Sequence, residues 1–230
     1  MKVFCNLPRS LFLMLMVIAS VTILVLFEKT IAPEVKNWGG FYPAVLTFLV
    51  ILSKVVLPLV LLRWRYGLGL RSLGWVEGGL FQAVWKGVVV AALMMIVILI
   101  YKHYSPLVFH TPYLSTGEHF LQQEMSRVTI MIGIAAALLN AFGEEIIFRG
   151  MLLPSLSIHL GVLLAVIIHA ILFSAYHFFP LQNSVLLFIM GILFGVGYLW
   201  SGSLLTPVLA HLIENGVPIV VLLTGVMGAG

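Results

Sequence analysis

Glu144-Glu145-Ile146-Ile147-Phe148-Arg149, Phe173-Ser174-Ala175-Tyr176-His177 and His211-Leu212-Ile213-Glu214-Asn215 form three polar islands in an apolar stretch of chain. Beyond Arg127 the only charged residues are Glu144, Glu145, Arg149 and Glu214, all inside these islands. An ionisable group at bilayer depth costs at least ~2.5 kcal/mol on insertion scales, so such groups are retained for function. A carboxylate and an imidazole together can take a proton from water. A carboxamide and a second imidazole can donate hydrogen bonds to a developing oxyanion. The residue types are those of a hydrolytic site inside a membrane.

Helical spacing sorts the members of each island. Glu145 and Arg149 are four apart, about 40° around a helix, and are expected to form an ion pair. Glu144 is displaced by a further 100° or about that, which would leave it as the free carboxylate and the base. Phe173 and His177 share a face, as do His211 and Asn215, again four apart. Glu214 falls on another flank of the same turn and is kept outside the core. His159 and His169 are expected as interhelical hydrogen-bond partners. His103, His110 and His119 read as loop histidines rather than a metal site, and Gly191 with Gly195 as a close-packing step.

These groups need apolar helices to hold them, and the composition supplies little else. Of 230 residues, 62% are hydrophobic and 9% charged, and mean hydropathy is +1.16; a soluble domain carries roughly 25% charged residues. All 8 acidic residues are glutamate. The net charge of +4 sits mostly in loops beside apolar runs, so it reports orientation in the bilayer, not affinity for nucleic acid. The single cysteine, Cys5, excludes an internal disulfide and a CxxC metal knot, and it precedes its apolar run, unlike a lipobox cysteine.

A helix needs about 20 apolar residues to span the hydrocarbon layer. The pattern predicts an all-α polytopic bundle of about seven spans, within six to eight, at 11–27, 42–62, 80–101, 128–153, 161–178, 184–200 and 204–224. The first is expected to be an uncleaved span rather than a signal peptide. Residues 102–127 are expected as a polar surface loop or interfacial segment. The whole chain, 1–230, forms one membrane-embedded domain, with 128–224 as catalytic core and 1–127 as accessory spans. Arg63, Arg65, Arg71 and Lys86 between the second and third spans, with Lys2 and Arg9, place the N-terminus and that loop in the cytoplasm. Trp38, Trp64, Trp75, Trp85 and Trp200 fall near span ends, as interfacial anchors do.

In this order, the islands resemble the motifs of the CAAX protease and bacteriocin-processing family of intramembrane peptidases, which includes the type II CAAX prenyl endopeptidase. Glu144, Glu145 and Arg149 match its EExxxR motif, Phe173 and His177 its FxxxH motif, and His211 and Asn215 its HxxxN motif. The likeness covers roughly 128–224. It implies that Glu144 and His177 activate water for attack on a peptide carbonyl, that His211 and Asn215 stabilise the oxyanion, and that Glu145, Arg149 and Phe173 support them. It implies a membrane-attached protein or peptide as substrate, no nucleic acid, and the inner membrane of a prokaryotic cell as location. One glutamate and two histidines would also suit zinc. Asn215 and the lack of an HExxH helix favour direct Glu/His catalysis, so no cofactor is expected, with zinc as the alternative.

Two rivals belong to other classes: a non-catalytic immunity or scaffold bundle, and a proton-coupled transporter, against which stands the lack of an internal repeat. Straight rods also raise a problem of depth. Glu144 would lie ~14 Å from the end of its helix at 153, with His177 near the opposite surface. A shared water requires the first-motif helix to run past Pro154 or tilt strongly, or the His177 helix to begin outside the bilayer.

Overall fold

The computed structural model describes residues 41–76, 78–110 and 127–227, together with Ala19, Thr22, Ile23 and Leu26, which are helical. Those four lie in the predicted span 11–27; the rest of that span, Cys5, Trp38 and His119 fall outside the described residues. Six helices follow: α1 (Phe41–Tyr66), α2 (Leu80–Phe109), α3 (Arg127–Glu145), α4 (Leu153–Ala175), α5 (Leu181–Ser201) and α6 (Leu205–Met227). A 3-10 turn, Leu70–Leu73, lies between α1 and α2, and a π-helical stretch, Ile146–Leu152, joins α3 to α4. Among the described residues there is no strand. The architecture is an all-α polytopic bundle, and Val45–Trp64, Leu80–Phe109, Met131–Ala175 and Leu181–Ser201 are each long and apolar enough to cross a membrane.

Helix α2 outruns its predicted end at 101, carrying His103 on a helix instead of in a loop. Pro106 sits in its last turns, and the chain stops at His110 in the left-handed conformation (φ 56°). Trp75, also near a span end, is partly buried. Its ring packs edge-on against Phe142 at 5.3 Å, and its carbonyl accepts from the backbone N–H of Leu205 and the hydroxyl of Ser203. Trp75 therefore ties the loop between α1 and α2 to the start of α6, whereas Trp64 is exposed.

The main correction concerns Pro154, expected to end a helix. The helix continues through it. A proline inside an α-helix lacks one N–H and collides with the carbonyl four residues back, and the wider π turn immediately before Pro154 gives that carbonyl room. The helical run breaks instead at Gly161, whose φ of 74° and ψ of 161° reverse the chain; a residue with a side chain rarely adopts such a backbone. The result is a hairpin centred on Gly161. Glu144 stands 17 residues before it and His177 16 after it, so at 1.5 Å per residue both lie about 25 Å from the turn. Phe148 and Phe173, whose rings meet at 5.2 Å, pair across the hairpin in the same register. The depth problem is resolved by one long helix and one glycine.

Contact registers give the remaining topology. Phe48 and Lys54 of α1 meet positions on α3 that climb with them, so α1 and α3 are parallel. Ala83 and Gly87 of α2 climb with Thr206 and Leu209 of α6. Beyond the Gly161 turn consecutive helices are antiparallel: Ser174 meets Ser184 and Ala170 meets Gly191 across α4 and α5, and Phe194 meets His211 across α5 and α6. The α4–α5 contact uses the glycine step: a Cβ at Gly191 would lie 3.0 Å from the Ala170 Cα, and one at Gly195 2.8 Å from the His169 Cε1. Gly191→Ala is expected to destabilise the bundle by ~1–3 kcal/mol, because the obstacle is backbone. Gly133→Ala, with open space around it, should leave the unfolding midpoint in detergent unchanged.

Candidate active site

Every island contributes a side chain to the face where α3 meets α1, α4 and α6. Glu144 and Glu145, neighbours in sequence, point into different partners because successive helical residues are about 100° apart. Both are buried, at 1% and 0% exposure. The Glu145 Oε1 accepts from Arg149 Nη1 at 2.9 Å and from His211 Nδ1 at 2.9 Å. The guanidinium lies over the rings of Phe173 at 4.3 Å and Phe194 at 4.7 Å, a placement that suits its flat, weakly hydrated charge. Through these contacts one buried ion pair fastens α3 to α4, α5 and α6.

Glu144 is not a lone carboxylate, contrary to the expectation from spacing. Its Oε1 lies 3.1 Å from Lys54 Nζ, and that ammonium also donates to Asn140 Oδ1 at 2.6 Å. Lys54 is the only charged residue of the predicted span 42–62. A lone charge in an apolar run is a signal for a buried partner; its partner, 90 positions away, was not readable from helix spacing. The other oxygen of Glu144, Oε2, faces His177 Nε2 at 3.6 Å. His177 Nδ1 donates to the Phe173 carbonyl at 2.7 Å. A carbonyl can only accept, so Nδ1 carries a proton, and Nε2 is the nitrogen that faces Glu144. His177 follows the last turn of α4, and Phe178 beyond it adopts φ 51° to swing the chain toward α5.

The third island divides. His211 is buried against Glu145 and tilts over the Phe194 ring at 4.8 Å. Asn215, one turn on, donates to the Ala137 carbonyl of α3 at 3.4 Å; Ala137 is two turns before Glu144. Glu214, set apart on spacing grounds, lies within electrostatic reach of Glu144, His177 and His211. His169 bonds to Val166 of its own helix at 3.1 Å rather than across helices, and His159 is exposed. Among the described residues no group of three His, Cys or Glu side chains has the arrangement of a metal site.

Fold and site together define a polytopic membrane protein with a buried carboxylate–imidazole pair. The profile of the Type II CAAX prenyl endopeptidase Rce1-like family matches residues 126–217. The uncharacterized protein YpbD of Bacillus subtilis (strain 168) is 31% identical over 140 residues, which is 59% of this chain and 67% of that protein. No solved structure matches the chain. The chain belongs to the CAAX protease and bacteriocin-processing family, on its type II CAAX prenyl endopeptidase-like side. It is an integral membrane protein, and membership of this family implies a protease working on membrane-associated substrates within the bilayer.

Proposed function

We propose that this chain is an intramembrane endopeptidase that cuts near the terminus of a membrane-attached or lipid-anchored substrate. The observation that carries this reading is the facing of Glu144 Oε2 and His177 Nε2 at 3.6 Å, inside a buried site. That separation admits a water bonded to both. Glu144 and His177 take its proton as its oxygen attacks the scissile carbonyl carbon, and the proton then passes to the departing amine. The Asn215 amide and His211 donate to the oxyanion. His211 already gives its Nδ1 proton to Glu145, so its Nε2 would serve the oxyanion as donor in the doubly protonated form.

A direct Glu/His mechanism fits the donor set better than zinc. Lys54 lies 3.1 Å from Oε1 of the carboxylate a metal would have to share with His177, and two cations so close repel. Metal analysis of active, detergent-purified protein is expected to find well under one zinc per chain; one stoichiometric zinc would overturn this part. The substrate in the family's name, a CAAX prenyl protein, is one candidate for this chain; in a prokaryote, a sorting, bacteriocin or signalling peptide is the expected target. The proposed orientation, N-terminus in the cytoplasm of a prokaryotic cell membrane, rests on Arg63 and Arg65 at the end of α1 and Arg71 just beyond it, with Lys2 and Arg9. The core of the reaction would lie in 128–224. Terminal proteomics of membranes carrying wild type or Glu144→Gln tests the whole reading: a new protein terminus should appear with wild type alone, and identical termini would refute it.

A further inference from the structure

Lys54 lies outside the segment matched by the family profile, which begins at residue 126, and outside the three motifs. Its side chain is 8% exposed in the middle of an apolar helix. An ammonium there needs full compensation, and the site supplies it from three directions. Glu144 Oε1 lies at 3.1 Å, Asn140 Oδ1 accepts at 2.6 Å, and the ring of Tyr176, next to His177, lies beneath it at 5.0 Å. Asn140 and Glu144 are four apart on α3, so both oxygens face one point.

The backbone is arranged for this contact. A Cβ at Gly143, between the two acceptors, would fall 3.0 Å from the Lys54 Cβ and 3.1 Å and 3.2 Å from its carbonyl carbon and oxygen. A side chain here would have to push α1 away from α3 by a few tenths of an ångström. Arg149 is occupied by Glu145, which leaves Lys54 as the countercharge that touches Glu144. Resting on the assignment of Glu144 and His177 as the water-activating pair, we propose that Lys54 is a positioning residue for the reaction: it clamps one oxygen of Glu144 and aims the second oxygen at His177. The ammonium is also the countercharge that compensates the carboxylate at this depth. Other charged or titratable groups facing Glu144 are His177 at the end of α4 and His211 and Glu214 on α6, with Glu145 and Arg149 on its own helix and the π turn.

The test uses the full chain in lipid vesicles, with Lys54→Met, Lys54→Arg and Glu144→Gln compared. One readout is cleavage of the substrate whose severed terminus the proteomic comparison above identifies, as kcat, KM and pH profile. The other is the infrared band of protonated carboxylic acid, assigned to Glu144 as the band that Glu144→Gln removes. Lys54→Met is expected to lower kcat by about 100-fold at neutral pH with KM within about two-fold, as expected for a misaimed group. Its activity should recover toward alkaline pH, and the protonated band should appear at neutral pH. Lys54→Arg should stay within about ten-fold of wild type and lack the band. A Lys54→Met protein with wild-type pH profile and no neutral-pH band overturns the role of Lys54 while leaving the catalytic pair intact. Cleavage surviving in Glu144→Gln overturns both. Should Lys54→Met fail to insert, Asn140→Ala decides: it removes one side of the clamp, and an unchanged pH profile there refutes the proposal.

Discussion

Glu144→Gln and His177→Ala should each abolish peptide cleavage, by ~10²–10⁴-fold, while the proteins still insert and purify as wild type does. Glu144→Gln keeps the shape of the side chain and an oxygen for Lys54, so the bundle loses little; what disappears is the ability to take a proton from water. His177 sits at the end of α4 and its ring is partly accessible, with a side-chain exposure of 16%, so its removal opens space at the rim of the core rather than inside it. The two residues act on one water. The double variant should therefore be no slower than the worse single one. Multiplicative losses would mean that they serve separate steps, and retained cleavage in either single variant would defeat the proposed mechanism. Asn215→Ala and His211→Ala are expected to lower kcat more than they raise KM, since oxyanion donors act in the transition state.

Arg149→Met should be the most damaging change to stability. Arg149 is fully buried, with Glu145 beside it at 0% exposure. Removing one partner of a buried pair leaves an uncompensated charge and typically costs 3–5 kcal/mol or about that. In the bilayer no water replaces the lost partner. The guanidinium also fills the space between Phe173 and Phe194, so α4 and α5 lose a shared anchor. Arg149→Lys should not rescue, because a compact ammonium cannot lie flat between two rings and also reach the Glu145 carboxylate. Adding Glu145→Leu to Arg149→Met should recover part of the loss by removing the stranded charge, although His211 then loses its acceptor. Thermal unfolding in detergent, followed by a tryptophan or thiol probe, orders these variants; Arg149→Met as stable as wild type would refute the anchor.

Much of the molecule was present in its residue pattern. Apolar runs of about 20 residues dictate transmembrane helices because a bilayer satisfies no backbone polar group. The i,i+4 rule alone paired Glu145 with Arg149, and the Gly191/Gly195 step correctly marked close packing of α4 on α5. Contacts between distant elements were another matter. Spacing along one helix assigned Glu144 no countercharge, and only the parallel docking of α1 on α3 at Gly143 delivers Lys54 to it. Pro154 read as a stop because local propensity favours one, yet a π turn absorbs its strain inside a packed core.

By itself, then, the order of residues determined an all-helical membrane bundle and which side chains had chemistry to offer, since both follow from hydropathy and from periodicity along a single helix. Tertiary structure alone decided the depth at which Glu144 and His177 meet, the partner of each glutamate, and the engagement of Asn215 with Ala137 instead of a charged group. Those outcomes depend on where Gly161 reverses the chain and on how closely two helices can approach, quantities that arise only when several elements are packed together.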